Sequence, residues 1–340
     1  MNLVAKNRLL TVVLCLFTTL LAPNLLMAQD APAPDKVREK DFLSTFFKDD
    51  PAYVFAYFMG SGDGLHLMYS YDGLLWNTVN DGQILLKPTV GKAKLMRDPS
   101  IVKDHKGVFH MVWTTGWTEN NIGYASSTDL INWSEQRELP VMAHEPEVRN
   151  TWAPEVYFHK ASKTFYIFWS STIPGRFPVV GSAESDYNHR MYYTTTKDFK
   201  SFTPTKLFYD PNFNVIDGFI IKEKGWYYLF VKNETLEPVE KNIRVTRSRK
   251  LTKFPSTVSD PLTGKEWAEG PTAIKVGKYT YLYWDKYRNH RYGALRCKNL
   301  KKGEWEDVSD MLRFPAGVRH GTAFKVKSDI IHGLQSLTEE

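Results

Sequence analysis

The chain has 340 residues, 42% of them hydrophobic and 14% aromatic, which is enough apolar material for one large core or two modest ones and excludes a disordered chain. Its formal net charge is +6, from 44 basic and 38 acidic side chains dispersed among one another. No helix-turn-helix, zinc-ligand spacing or phosphate loop accompanies that mild excess, so no nucleic-acid partner is expected.

In chain order, the first predicted element is a leader. Lys6 and Arg8 precede an apolar run ending in LLMA, with Pro23 and Asn24 interrupting it near its end. This predicts a signal peptide over residues 1–28, cleaved after Ala28, and a secreted or periplasmic protein with no stable membrane span. Cleavage removes Lys6, Arg8 and Cys15, which lowers the charge from +6 to +4 and leaves Cys297 alone. A lone cysteine forms no internal disulfide, so stability must come from packing, and Cys297 reads as structural. Residues 29–51 read as an N-terminal lead-in with a short helix around LSTFF, and residues 52–340 as one domain.

That domain is built on a repeat. SYDGLLW (Ser70, Asp72, Trp76), STDLINW (Ser127, Asp129, Trp133), TKDFKSF, SRKLTKF and CKNLKKGEW are five versions of one pattern. Before each lies a short strand-like segment, and before that a stronger one rich in aromatic and β-branched residues: YVFAYF, VFHMVWT, FYIFWSS, WYYLFVK and YTYLYWD. Each unit opens with a further strand bearing a polar residue at its mouth: RDPSIV (Asp98), WAPEVYF (Glu155), IDGFII (Asp217), AEGPTAI (Glu269) and RHGTAFKV (His320). The last of these has no strands after it, and the first aromatic strand has no leader before it. Joining the two closes the ring, which predicts an all-β, five-bladed β-propeller with four strands per blade, sealed by pairing of its N- and C-terminal segments. The repeated turn then binds its own backbone through hydroxyl and Asp, while its ring packs between blades. A long insertion, residues 172–189, divides the WAPE unit and is a candidate specificity loop.

Inner strands converge on the propeller axis, so Asp98, Asp217 and Glu269 are expected around one depression. Carboxylates so placed cannot all ionise equally, which pushes at least one pKa upward and supplies the acid and base that glycoside hydrolysis needs. Trp117, Trp152 and Trp169 lie near these mouths in sequence and offer apolar platforms for sugar faces.

RDPSIV, WAPE, VIDGFII, AEGPTAI and RHGTAF, in this order, resemble glycoside hydrolase family 43 over about residues 52–326. The resemblance implies an inverting hydrolase of plant-type polysaccharides or oligosaccharides, with an exo-acting α-L-arabinofuranosidase first, β-galactofuranosidase or β-xylosidase next, and a non-catalytic sugar-binding propeller as the alternative from another class. It implies Asp98 as general base, Glu269 as general acid, and Asp217 as the carboxylate that raises the acid's pKa and orients it. His320 matches a central histidine that in some relatives lies beside a metal ion or water, so it is the candidate contact for a calcium ion, although no cofactor is required. Two departures stand out. Asp217 is followed by Gly218 where the family has proline, so a different local backbone is expected, and Glu155 stands where the family often has Asp and reads as a structural group bonding backbone.

Overall fold

The computed structural model describes residues 52–337. The expected signal peptide (1–28) and the expected lead-in (29–51), with the helix expected around LSTFF, lie outside the described residues. The strands follow the aromatic and β-branched runs. They are β1 Ala52–Tyr57, β2 His66–Ser70, β3 Asn77–Thr78, β4 Arg97–Lys103, β5 Phe109–Thr114, β6 Ile122–Ser127 and β7 Arg137–Leu139, followed by β8 Trp152–His159, β9 Thr164–Ser171, β10 Arg190–Thr196 and β11 Lys206–Tyr209. Then come β12 Val215–Glu223, β13 Trp226–Asn233, β14 Asn242–Ser248, β15 Glu269–Val276, β16 Tyr279–Lys286, β17 Arg291–Cys297, β18 Glu306–Asp307 and β19 Thr322–Val326, and one helix, α1 Ser328–Ser336.

They form five antiparallel sheets, the five blades of a propeller. Their orders are β19-β1-β2-β3, β4-β5-β6-β7, β8-β9-β10-β11, β12-β13-β14 and β15-β16-β17-β18. The first blade takes its inner strand from the far end of the chain, with Ala52 opposite Val326 and Ala56 opposite Thr322, so the predicted closure is present. The second strand of each blade is buried along nearly its whole length, because both of its faces meet neighbouring blades. The contacts between blades are aromatic. Phe55 and Trp76 of the first blade meet Tyr283 of the last, with Trp76 edge-on to Tyr283 at 5.9 Å, and Phe230 meets Trp305 edge-on at 6.0 Å.

The repeated turns bind backbone as the residue types require. In STDLINW the Ser127 hydroxyl accepts from the N–H groups of Asp129 (3.2 Å) and Leu130 (2.8 Å), while Asp129 Oδ1 accepts from those of Ile131 (2.9 Å) and Asn132 (2.8 Å). Ser70–Asp72 and Thr196–Asp198 repeat the arrangement. The Phe202 ring departs from the pattern, being 36% exposed rather than packed between blades.

Two elements differ from expectation. The fourth blade has three strands, because the segment beyond β14 carries Pro255 and Pro261, which have no N–H to donate to a ladder. Single bonds from Ser259 N–H to Val245 and from Leu262 N–H to Ile243 hold that segment along the edge instead. Helix α1 was not expected at all. It buries Ile331 and Leu334, one turn apart, against β1, β2 and the turn carrying Leu130. No helix among the described residues is long and apolar enough to cross a membrane.

Candidate active site

The inner strands share a local distortion that sets the site. In β4, β8, β12 and β15 the pairing register skips two residues, between Arg97 and Ser100, Trp152 and Glu155, Ile216 and Phe219, and Glu269 and Thr272. The first skipped residue has positive φ in every case: Asp98 at 53°, Ala153 at 48°, Asp217 at 54° and Gly270 at 59°. For a residue with a side chain this costs about 1–2 kcal/mol, and the bulge re-aims that side chain toward the axis. In the blade closed by β19 the corresponding residue is His320, since Arg319 N–H bonds the Phe58 carbonyl and Thr322 pairs with Ala56.

The bulges correct three expectations. Asp217-Gly218 has the same φ and the same register skip as Asp98-Pro99, so the backbone does not differ there. Gly218 leaves room for Met191, whose Cε would lie 2.1 Å from a Cβ there. Glu269 stands one residue before the bulge position that Asp98 and Asp217 occupy. Glu155 stands two residues beyond it, level with Ser100, Thr272 and Thr322, and accepts from the hydroxyls of Ser100 (2.7 Å) and Thr322 (2.9 Å) rather than bonding mainly backbone. Burial pushes its carboxyl up to about 7, against those two hydrogen bonds and the charge of His320.

Asp98, Asp217, Glu269 and His320 line one cavity of about 290 Å³. Asp98 Oδ2 accepts from the Thr114 hydroxyl at 2.8 Å, and Oδ1 lies 3.2 Å from His320 Nδ1. Burial opposes ionisation of Asp98, but the hydrogen bond and charge of His320, with Arg97 and Thr114, outweigh it and hold the carboxyl at about 2. Asp217 Oδ2 accepts from Gly270 N–H at 3.0 Å and lies 3.9 Å from the same imidazole nitrogen. Burial, with the nearby charges of Glu269 and Asp98, raises Asp217 despite His320 and Lys232. His320 is driven the other way from an ordinary buried histidine. Burial disfavours its cation, yet Asp217, Asp98 and Glu269 lift it to about 9. Gly270 makes this cluster sterically feasible, because a Cβ there would fall 2.4 Å from His320 Cγ.

Each oxygen of Glu269 meets a cation. Arg319 Nη2 donates to Oε1 at 3.1 Å and Lys232 Nζ to Oε2 at 3.2 Å. Arg319 also donates to Asp285 at 2.7 Å, and Lys232 pairs with Glu234 at 2.7 Å. Glu234 in turn pairs with the fully buried Lys241 at 2.6 Å. Burial alone would lower the Lys232 ammonium, but Glu234 and Glu269 raise it well above its ordinary value. Sequence reading missed Lys232, Arg319, Asp285 and Glu234. For Lys232 and Asp285 the signal was a charged residue closing an otherwise apolar strand, in WYYLFVK and YTYLYWD. Lys232 and Asp285 sit directly opposite Ile216 and Glu269, the residues immediately before two bulges.

The three tryptophans part company. Trp117, 50% exposed, and Trp152, partly buried, both line the cavity. They meet edge-on at 5.9 Å, and the Trp152 indole donates to the Trp117 carbonyl at 2.9 Å. Trp169 is fully buried among Val112, Val156, Ile167 and Tyr192 between the second and third blades, so it is core and not a sugar platform. The insertion at 172–189 is tied down. Ser182 pairs with Glu237 of the β13–β14 loop, and Arg149 donates to the carbonyls of Ser185 and Asp186. It brings Glu184 to the cavity wall. For a metal ion the donor set fits poorly. His320 Nδ1 faces Asp98, its ring is held as a cation, and among the described residues no group of three His, Cys, Asp or Glu side chains is arranged to hold an ion.

The sequence model of a family related to glycosyl hydrolase family 43, described as a probable glycosyl hydrolase domain, matches residues 49–329. An α-L-arabinofuranosidase of Bifidobacterium longum is 28% identical over 247 residues, covering 61% of this chain and 23% of that protein. The chain thus spans about a quarter of the length of that relative. Among solved structures, a thermostable family-43 glycoside hydrolase superposes with a TM-score of 0.51 at 18% identity, covering 66% of this chain and 78% of that one. An α-L-arabinofuranosidase from Lactobacillus brevis also gives 0.51, at 16% identity, covering 63% and 72%. At these identities the structural likeness speaks for the fold.

Proposed function

The chain belongs to the family 43-related glycosyl hydrolases, and on that premise we propose that it is an inverting, exo-acting glycosidase releasing α-L-arabinofuranosyl residues from plant-type oligosaccharides or polysaccharides. The observation that carries this reading is the convergence of Asp98, Asp217 and Glu269, from three different blades, on one cavity around His320. The choice of arabinofuranose is supported by the name of the Bifidobacterium relative.

In this reading a water molecule attacks the anomeric carbon as the bond to the leaving oxygen breaks. Asp98, ionised throughout the neutral range, takes the proton that the water loses. Glu269 gives its proton to the departing oxygen, with Arg319 and Lys232 fixing the position of its two oxygens. Asp217 acts through others. It holds Gly270 N–H, next to Glu269 in the chain, and shares His320 with Asp98. No step requires a metal ion.

The test compares wild type and Glu269→Gln on nitrophenyl α-L-arabinofuranoside, β-galactofuranoside and β-xyloside, with the anomer first formed read by NMR. Wild type is expected to cleave the arabinofuranoside fastest and to invert it. Loss of a general acid costs about 10²–10⁴-fold. It should cost more on a sugar leaving group than on nitrophenol, which departs readily without protonation. Retention would overturn the inverting assignment. A faster xyloside or galactofuranoside would replace the sugar, and cleavage of no glycoside by wild type would favour a binding propeller.

A further inference from the structure

A second cavity, of about 300 Å³, adjoins the carboxylate cavity and shares a single wall residue with it, Trp117. Its other walls include Lys92, Thr118, Glu119, Asn120 and Asn121. The floor is rigid. Ala93 N–H donates to Glu119 Oε1 at 2.9 Å, the Thr115 hydroxyl lies 3.0 Å from Glu119 Oε2 and 2.7 Å from Asn121 Oδ1, and Asn121 Nδ2 donates to Glu138 at 2.9 Å. Gly116 closes against Glu119 so tightly that a Cβ there would lie 2.3 Å from Oε1. Above this floor stand the exposed side chains of Lys92, Thr118 and Asn120.

Trp117 is half exposed yet held in place. The Arg97 guanidinium sits 4.5 Å from its ring centroid, Trp152 meets it edge-on, and its carbonyl takes the Trp152 indole N–H. Arg97 lines the carboxylate cavity and not the second one. A fixed, exposed indole beside an ammonium, an amide and a hydroxyl is suited to a sugar ring, whose C–H face packs on the aromatic ring while its hydroxyls meet the polar groups. Because the two cavities meet at that indole, one carbohydrate chain can occupy both.

We propose that the second cavity binds the leaving-group side of the substrate, taking a sugar residue beyond the scissile bond, so that the preferred substrate is an oligosaccharide or polysaccharide and not a simple glycoside. The proposal rests on reading the carboxylate cavity as the hydrolytic site of an exo-acting enzyme. Ala93, on the wall of the second cavity only, gives the means to fill it.

The experiment measures kcat and KM of wild type and Ala93→Trp on α-L-arabinofuranosyl fluoride, whose leaving group is too small to reach the second cavity, and on an arabino-oligosaccharide, with thermal melts as the check on folding. Ala93→Trp is expected to leave the fluoride within about twofold and to lower kcat/KM on the oligosaccharide at least about tenfold, mainly through KM. Asn120→Ala, which removes an exposed amide without filling space, serves if the larger substitution destabilises the fold, and should raise the oligosaccharide KM several-fold. Unchanged oligosaccharide kinetics, or equal losses on both substrates, would overturn the proposal. If wild type cleaves neither substrate, the hydrolytic reading fails on its own, and calorimetric titration of the oligosaccharide decides the cavity. Binding weakened by Ala93→Trp sustains it, and binding that is absent or unaffected ends it.

Discussion

Asp98 and Asp129 are both held at about 2, in opposite parts of the propeller and by different means. In each, burial works against the anion and is overcome. At Asp129, in an outer turn, Asn132 and the N–H of Ile131 overcome it, with help from Ser127. At Asp98, beside the axis, the decisive partner is a buried imidazolium. A depressed carboxyl therefore reports only that its anion is stabilised. Function depends on whether the stabilising groups face open space. Those of Asp129 belong to its own turn, and the same bonds recur at Asp72 and Asp198, away from the carboxylate cavity. Those of Asp98 line a cavity with four other acids, Asp217, Glu269, Glu184 and Glu234.

The largest expected effect breaks the likeness outright. Asp98→Asn removes the proposed base and should lower kcat on nitrophenyl arabinofuranoside by about 10²–10⁴-fold. Asp129→Asn should leave kcat within about twofold, because its side chain reaches no substrate. The two variants are compared in one steady-state assay. Comparable losses would mean that the outer turn, and not the axis, carries chemistry.

Next comes Glu155, more deeply buried than Asp98 and also beside the axis, yet raised to about 7 where Asp98 is lowered. The contrast isolates the cation, since Glu155 has hydroxyl partners and only a more distant influence from His320. A carboxyl raised in the folded state contributes stability that is fully present below its unfolded value, 4.5, and is lost as pH rises through about 7. At roughly 1.4 kcal/mol per pKa unit, that loss is on the order of 3–4 kcal/mol across the window. Glu155→Gln should flatten it. Measured by urea unfolding, the variant should gain on wild type between pH 4.5 and 7.5, and parallel stability curves would show that Glu155 ionises normally.

The blade count and the ring closure were legible because each rests on a pattern that survives without coordinates. The hydroxyl-Asp turn repeats, and a strand without partners at one end answers a gap at the other. The convergence of Asp98, Asp217 and Glu269 on one cavity was legible for the same reason, as one acidic residue per inner-strand mouth. What escaped depends on register. Glu155 and Asp98 look equivalent in WAPE and RDPS, and only the bulge shows that Glu155 lies two residues deeper, among hydroxyls. Trp169 escaped because strand alternation does not say which face meets a neighbouring blade and which a cavity. Lys232 escaped because a lone basic residue ending an apolar strand usually lies at the surface, and Arg319 because it stands in the loop before β19, whereas here each answers Glu269 on another blade. The missing outer strand of the fourth blade could have been read from Pro255 and Pro261.

The smallest expected effect tests the turn itself. Asp129→Ala removes the acceptor of the Ile131 and Asn132 N–H groups and the partner of Ser127 and Asn132 side chains. Several bonds are lost, but the turn lies near solvent, so water takes over the freed N–H groups and the cost is that of a capping residue, about 1 kcal/mol. That cost should appear as a lower urea midpoint at unchanged m-value, with kcat within about twofold of wild type. Because Leu130 and Trp133 pack into the same core as helix α1, the loss should also loosen that helix, visible as faster amide exchange at Ile331 and Leu334. A fall in kcat at unchanged stability would place the motif beside the substrate, and the resemblance between Asp98 and Asp129 would then be one of function as well as of charge.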